Sequence, residues 1–85
     1  MLNSPEKTVH IQYFAVLREQ RGRGEETVHT RAQTARELYG ELQKQYPFRL
    51  SIDFLRVAVN EQFSDWQARL NSGDRVVFIP PVSGG

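Results

Sequence analysis

The chain has no cysteine among its 85 residues. That removes disulfides, thiolate metal sites and a thiol nucleophile, and it fits a reducing compartment. Any sulfur chemistry must then use another atom of the chain. An excess of charge of one sign is missing too. Eleven basic against ten acidic side chains leave +1 at pH 7, too little for an electrostatic footprint on nucleic acid or an anionic lipid surface. No apolar run is long enough to span a bilayer, and Met1-Leu2-Asn3-Ser4-Pro5-Glu6-Lys7 lacks the apolar stretch of a signal peptide. The expectation is a cytoplasmic domain with no nucleic-acid and no membrane partner. Catalytic signatures are equally scarce. There is no Ser-His-Asp pattern and no phosphate loop, and the two histidines, His10 and His29, have no partners at ligand spacing, so no metal site is expected. So short a chain supports one core and leaves little room for a self-contained active site.

What is present is a clear alternation of elements. Val9, Ile11 and Tyr13 alternate with His10, Gln12 and Phe14, which predicts a first strand over about 8–16. Leu17-Arg18-Glu19-Gln20 leads into Arg21-Gly22-Arg23-Gly24, where two glycines among charges predict a flexible turn into a short strand at 27–30. Thr34-Ala35-Arg36-Glu37 has capping-box spacing, and Ala35, Leu38, Leu42 and Tyr46 form one apolar stripe that Pro47 ends. This is the main helix. Leu55, Val57 and Val59 predict another strand, turning at Asn60-Glu61 into Gln62-Phe63. Ser64-Asp65-Trp66-Gln67 offers a second capping box, hence a helical turn through about Leu70. Asn71-Ser72-Gly73-Asp74 is turn chemistry before a last strand at 75–79. Strand, strand, helix, strand, short helix, strand is an α+β order in which a sheet wraps one main helix. Residues 1–7 read as a loose lead, 8–79 as the body and 80–85 as a tail.

The tail is the most informative segment. Pro80-Pro81 cannot continue a sheet or start a helix, because neither ring nitrogen carries a hydrogen and both fix φ. The end is expected to leave the body extended. Gly84-Gly85 lacks every Cβ that would collide with the walls of a narrow channel. Six extended residues reach roughly 20 Å, enough to enter another protein's active site. The last strand adds a second feature. Val76 and Phe78 face one side, Val77 and Ile79 the other, and both sides are apolar although one helix covers one face. Phe14, Ile79 and Phe63 are therefore expected to form an exposed patch beside the tail exit, the mark of an interface.

Tyr13-Phe14-Ala15-Val16-Leu17-Arg18-Glu19, Val57-Ala58-Val59-Asn60-Glu61, and Leu70-Asn71-Ser72-Gly73-Asp74 running into Phe78-Ile79-Pro80-Pro81-Val82-Ser83-Gly84-Gly85 resemble the small subunit of molybdopterin synthase, the MoaD type. Three features depart from that pattern: Arg75 after Asp74, the basic residues Arg21 and Arg23, and several residues ahead of the first strand. The resemblance implies a ubiquitin-like β-grasp. It also implies a sulfur carrier for molybdenum cofactor biosynthesis, binding no cofactor and not catalytic alone, whose Gly85 carboxylate is adenylated with ATP by a ubiquitin-activating-like adenylyltransferase and converted to a thiocarboxylate. That sulfur then goes to cyclic pyranopterin monophosphate in the large subunit, within a heterotetramer of two small and two large chains. On this view Gly84, Ser83, Val82, Pro81 and Pro80 form the inserted tail, and Phe14, Phe63, Ile79 and Arg18 dock the body. A thiazole-pathway sulfur carrier, a ubiquitin-like modifier joined to lysines, and an adaptor without chemistry remain open at this point.

Overall fold

The computed structural model describes residues 5–81. Five strands form one mixed sheet in the order β2-β1-β5-β3-β4, with β1 at Lys7–Tyr13, β2 at Glu25–Thr30, β3 at Arg56–Val59, β4 at Gln62–Ser64 and β5 at Arg75–Ile79. The last strand lies in the centre. It runs parallel to β1, with Ile11 beside Val76 and Tyr13 beside Phe78, and antiparallel to β3. Helix α2, Ala35–Gln45, packs across one face, and the architecture is the ubiquitin-like β-grasp. Among the described residues, no helix is long and apolar enough to cross a membrane.

Helix α2 forms as its sequence predicts. The Thr34 hydroxyl accepts from the Glu37 amide, while the Glu37 carboxylate accepts from the amide of Gln33. The cap closes one residue earlier than the simplest capping box. Ala35, Leu38 and Leu42 are buried, and Tyr46 is half-buried. Tyr39, absent from the predicted stripe, is fully buried. It stacks on Phe48, tilts against Phe78 and donates its hydroxyl to the Leu50 carbonyl at 2.7 Å. Burial pushes its phenol pKa up to about 12.

Two expectations need correction. The first strand ends at Tyr13, and residues 15–21, expected as strand end and loop, form a short helix, α1 (Ala15–Arg21). Ala15 enters it at φ 53°, and Gly22, at φ 87°, closes it by donating to the Arg18 carbonyl. Its Leu17 is fully buried, so a tertiary contact fixes a helix that has no side-chain cap. The second correction concerns residues 64–70, which form no helix. The Ser64 hydroxyl donates to the Gln62 carbonyl, Ala68 N–H closes a single turn on the Asp65 carbonyl, and Arg69 bridges Thr34. Pairing with the start of α2 captures the backbone that a second helix would have used. A 3-10 turn at Ile52–Phe54, not expected from sequence, leads into β3.

Beneath α1 lies the one ion pair among the described residues. Arg21 grips Glu26 through Nε and Nη2 at 2.9 and 2.7 Å, and Tyr13 donates its hydroxyl to the same carboxylate at 2.6 Å. The Arg21 guanidinium also lies 4.0 Å from the Tyr46 ring centre. These contacts hold the Glu26 carboxyl below its ordinary value, Arg21 first and Tyr13 next among the stabilising groups, while burial and the neighbouring carboxylate raise the Tyr13 phenol. Because the folded state binds the Glu26 proton more weakly than the unfolded chain, this contribution is complete above the unfolded value of about 4.5 and is lost as pH falls below it. Urea midpoints of the wild type should fall as pH is lowered from 5 to 3, and those of a Glu26→Gln variant should fall less steeply over that range. Parallel midpoint curves would show that Glu26 carries none of the acid sensitivity.

Candidate functional site

Strand alternation sorts the sheet into two faces. Val9, Ile11, Tyr13, Val57, Val76 and Phe78 point toward α2 and are buried. The opposite face carries Thr8, His10 and Gln12 from β1, Arg75, Val77 and Ile79 from β5, Arg56 and Ala58 from β3, and Phe63 from β4. No helix covers it. Its β2–β1 half is polar: His10 Nδ1 pairs with the Thr27 hydroxyl at 2.9 Å and His29 Nδ1 with the Thr8 hydroxyl at 3.1 Å. Its β5–β3–β4 half combines the apolar Val77, Ile79, Ala58 and Phe63 with two arginines, Arg75 at its β1 side and Arg56 between Ile79 and Phe63.

Phe14, Ile79 and Phe63 belong to that half. Phe14 follows β1 in extended conformation, φ −127° and ψ 154°, and continuing the parallel register by one residue sets it beside Ile79. It is 42% exposed and Phe63 is 67% exposed. Ile79 is half-buried, paired with Arg56 on β3, while Phe63 pairs with Ala58. The three expected docking residues therefore lie along one side of one sheet.

The tail begins next to them. Pro80 is still packed into the body and Pro81 is exposed, and both line an open cleft of about 430 Å³ with Asp53, Phe54, Leu55, Arg56 and Ile79. Val82, Ser83, Gly84 and Gly85 lie outside the described residues. Arg18 is exposed on α1, its side chain against Gly24, in a cleft with Ala15, Glu19, Gly22 and Arg23. Arg21 of the basic segment serves the fold through Glu26, while Arg23 is exposed and donates to the Glu25 carbonyl. Two exposed residues at the tail base escaped sequence reading. Phe54, 64% exposed, lies just ahead of the strand predicted from Leu55 and belongs to no predicted element. Arg56 alternates with Leu55 and Val57 in the predicted strand, and only the strand register places it beside Ile79.

The turns that hold this face are tightly specified. Asn60 and Glu61 both take positive φ, 53° and 72°, giving the two-residue turn between β3 and β4. The Asn60 amide donates to Asp74 at 3.0 Å and its carbonyl oxygen accepts from the Arg75 amide at 3.0 Å. Asp74, buried, also accepts from the Asn71 amide at 2.8 Å. Asp74 thus bends and braces backbone. Among the described residues, no group of three or more His, Asp or Glu side chains gathers in metal-binding geometry.

Comparison with known proteins agrees with this geometry. No curated protein sequence matches the chain. Among solved structures, molybdopterin converting factor subunit 1 of Pyrococcus furiosus is 28% identical, with TM-score 0.73 over 89% of this chain and 99% of that one. A complex of subunits 1 and 2 of the molybdopterin-converting factor from Helicobacter pylori matches at 25% identity, TM-score 0.63, over 92% of this chain and 99% of that one. SAMP1 of Haloferax volcanii shares the fold at TM-score 0.75 and 24% identity, over 92% of this chain and 99% of that one. The ThiS family profile matches residues 11–85, from the first core strand through the final glycine, and the chain belongs to the ThiS family.

Proposed function

We propose that this protein is the sulfur-carrier subunit of a molybdopterin synthase, with Gly85 as the atom-bearing terminus and the uncovered sheet face as its dock. The observation that carries the reading is the position of Phe14, Ile79 and Phe63 on the face from whose central strand Pro80-Pro81-Val82-Ser83-Gly84-Gly85 continues. The Pyrococcus and Helicobacter likenesses favour the molybdopterin branch of the family over the thiazole branch.

A carboxylate resists attack because its charge repels nucleophiles and oxide is a poor leaving group. In the proposed cycle the Gly85 carboxylate attacks the α-phosphorus of ATP on a ubiquitin-activating-like adenylyltransferase and releases pyrophosphate. The terminal sulfur of a donor persulfide then attacks the acyl carbon and displaces AMP, and a second thiol reduces the resulting acyl disulfide, releasing the thiocarboxylate and leaving a disulfide on the donor side. In the large subunit that sulfur is delivered to cyclic pyranopterin monophosphate, and two deliveries build a dithiolene. The carrier contributes position: docking converts a bimolecular sulfur transfer into one within a complex, and effective concentration supplies much of the rate. Acid, base and phosphate contacts come from the large subunit. The two prolines at the base of the tail restrict its conformations before docking, whereas glycines at its end fit a narrow channel at an entropic cost.

Incubating the chain with ATP, the adenylyltransferase and a sulfur donor should raise its intact mass by the difference between sulfur and oxygen, and Gly85→Leu should remain unmodified while unfolding at the wild-type urea midpoint. Isopeptide-linked adducts on lysines in place of the sulfur mass gain would instead make the chain a modifier. Phe14→Asp should weaken binding to the large subunit by about 2 kcal/mol, roughly 30-fold, in calorimetry, the scale of a central interface residue. Unchanged affinity removes Phe14 from the dock.

A further inference from the structure

The apolar half of the uncovered face has a cation in its middle. Arg56 pairs with Ile79 across β3 and β5, and its guanidinium lies 5.5 Å from the ring centre of Phe63. It separates two open clefts. One, of about 430 Å³, holds Phe54, Ile79, Pro80 and Pro81. The other, of about 350 Å³, holds Val57, Phe63, Asp65 and Trp66. Arg56 and Leu55 line both. Asp53 lines the first cleft and Asp65 the second, yet the Arg56 side chain makes no hydrogen bond or ion pair with any described residue. Arg21, by contrast, is fully engaged with Glu26 and Tyr46.

An exposed guanidinium costs nothing while water solvates its donors. Covered by a partner it must find acceptors, because a buried charge without a partner is far more costly than a missing contact. A purely apolar complement to Phe14, Ile79 and Phe63 would strand five N–H donors on Arg56. We propose that Arg56 is the specificity-determining residue of this face, and that the partner receiving the tail presents an aspartate or glutamate there, ringed by apolar side chains that enter the flanking clefts. The planar guanidinium, shelved on the Phe63 ring, offers its fork to a carboxylate in bidentate geometry, which lysine cannot reproduce. Partners that carry a lysine or an apolar residue at that point are rejected by the same cost.

This inference rests on the docking reading above, and one calorimetric series separates the two. The wild type, Arg56→Met, Arg56→Lys and Phe14→Asp are each titrated with the large subunit of molybdopterin synthase from the same organism, at 50 and 500 mM NaCl. Arg56→Met keeps most of the apolar stem, so it should bind about 30-fold more weakly at low salt and lose most of the salt dependence shown by the wild type. Arg56→Lys should recover part of the salt dependence but less than half of the lost free energy of binding. Arg56→Met binding as tightly as wild type, or more tightly, with Phe14→Asp weakened, overturns the carboxylate complement and leaves the dock standing. Absence of binding by the wild type overturns the dock, and the Arg56 proposal with it.

Discussion

The parallel pairing of β1 with β5 sets the rest of the molecule. It brings the last strand into the centre of the sheet, between the first strand and β3, and the turn before β5 locks it there: Gly73 donates to the Thr8 carbonyl at 2.6 Å and His10 to the Asp74 carbonyl at 2.9 Å. A central strand is hydrogen-bonded along both edges and is the last part of a sheet to open. The segment after Ile79 is therefore anchored on the most rigid line in the protein. That is what a carrier needs from a body 85 residues long, because a terminus aimed into another protein's cleft is only as well placed as its base.

Central placement also forces the two-sided character of β5. Val76 and Phe78 complete a core in which Phe78 meets both Tyr39 and Trp66, while Val77 and Ile79 emerge on the face that no helix covers. A monomer gains nothing from turning Phe14 and Phe63 to water beside the half-buried Ile79, and their placement on one side of one sheet has the form of an interface. The two halves of that face differ in kind. The β2–β1 half satisfies its polar groups internally through His–Thr pairs, whereas the β5–β3–β4 half combines apolar surface with a guanidinium lacking a protein acceptor among the described residues. Charge that serves the fold is neutralised within it, at Arg21 and Glu26.

Sequence reading succeeded where one local signal agreed with tertiary demand. The alternation in β1 and β5, the capped stripe of α2 and the Gly73-Asp74 turn each had one sensible solution, and the α+β order of a sheet wrapping one helix followed, which the family resemblance specified as a β-grasp. It failed where local and tertiary signals diverged. Residues 15–21 carry neither a capping side chain nor a long stripe, and only burial of Leu17 and the left-handed Gly22 make them a helix. Ser64–Gln67 carry a good cap pattern, yet backbone pairing with Thr34 takes the chain elsewhere. Tyr39 fell outside the predicted stripe because the stripe was drawn around aliphatic spacing, and the sheet is broad enough to bury a wider arc of α2. The shared face of Phe14, Ile79 and Phe63 was legible because period two assigns faces without knowledge of neighbours. Arg56 was not singled out, because its weight comes from what surrounds it: Ile79 on the next strand and Phe63 two strands away from β5.

In the proposed cycle the same terminus visits an activating enzyme and a sulfur-accepting one, so the body has to be recognised twice while the reacting group stays the same. Apolar contact alone discriminates poorly between these two enzymes and unrelated apolar surfaces, since hydrophobic surfaces of similar shape differ by little in affinity. A single desolvated charge discriminates strongly, because the penalty for a wrong neighbour exceeds the gain from a right one. Placing that charge on β3, paired with the strand that carries the tail, couples recognition to delivery: a partner that cannot accommodate Arg56 cannot seat the face, and without a seated face Gly85 has no reason to be near its cleft.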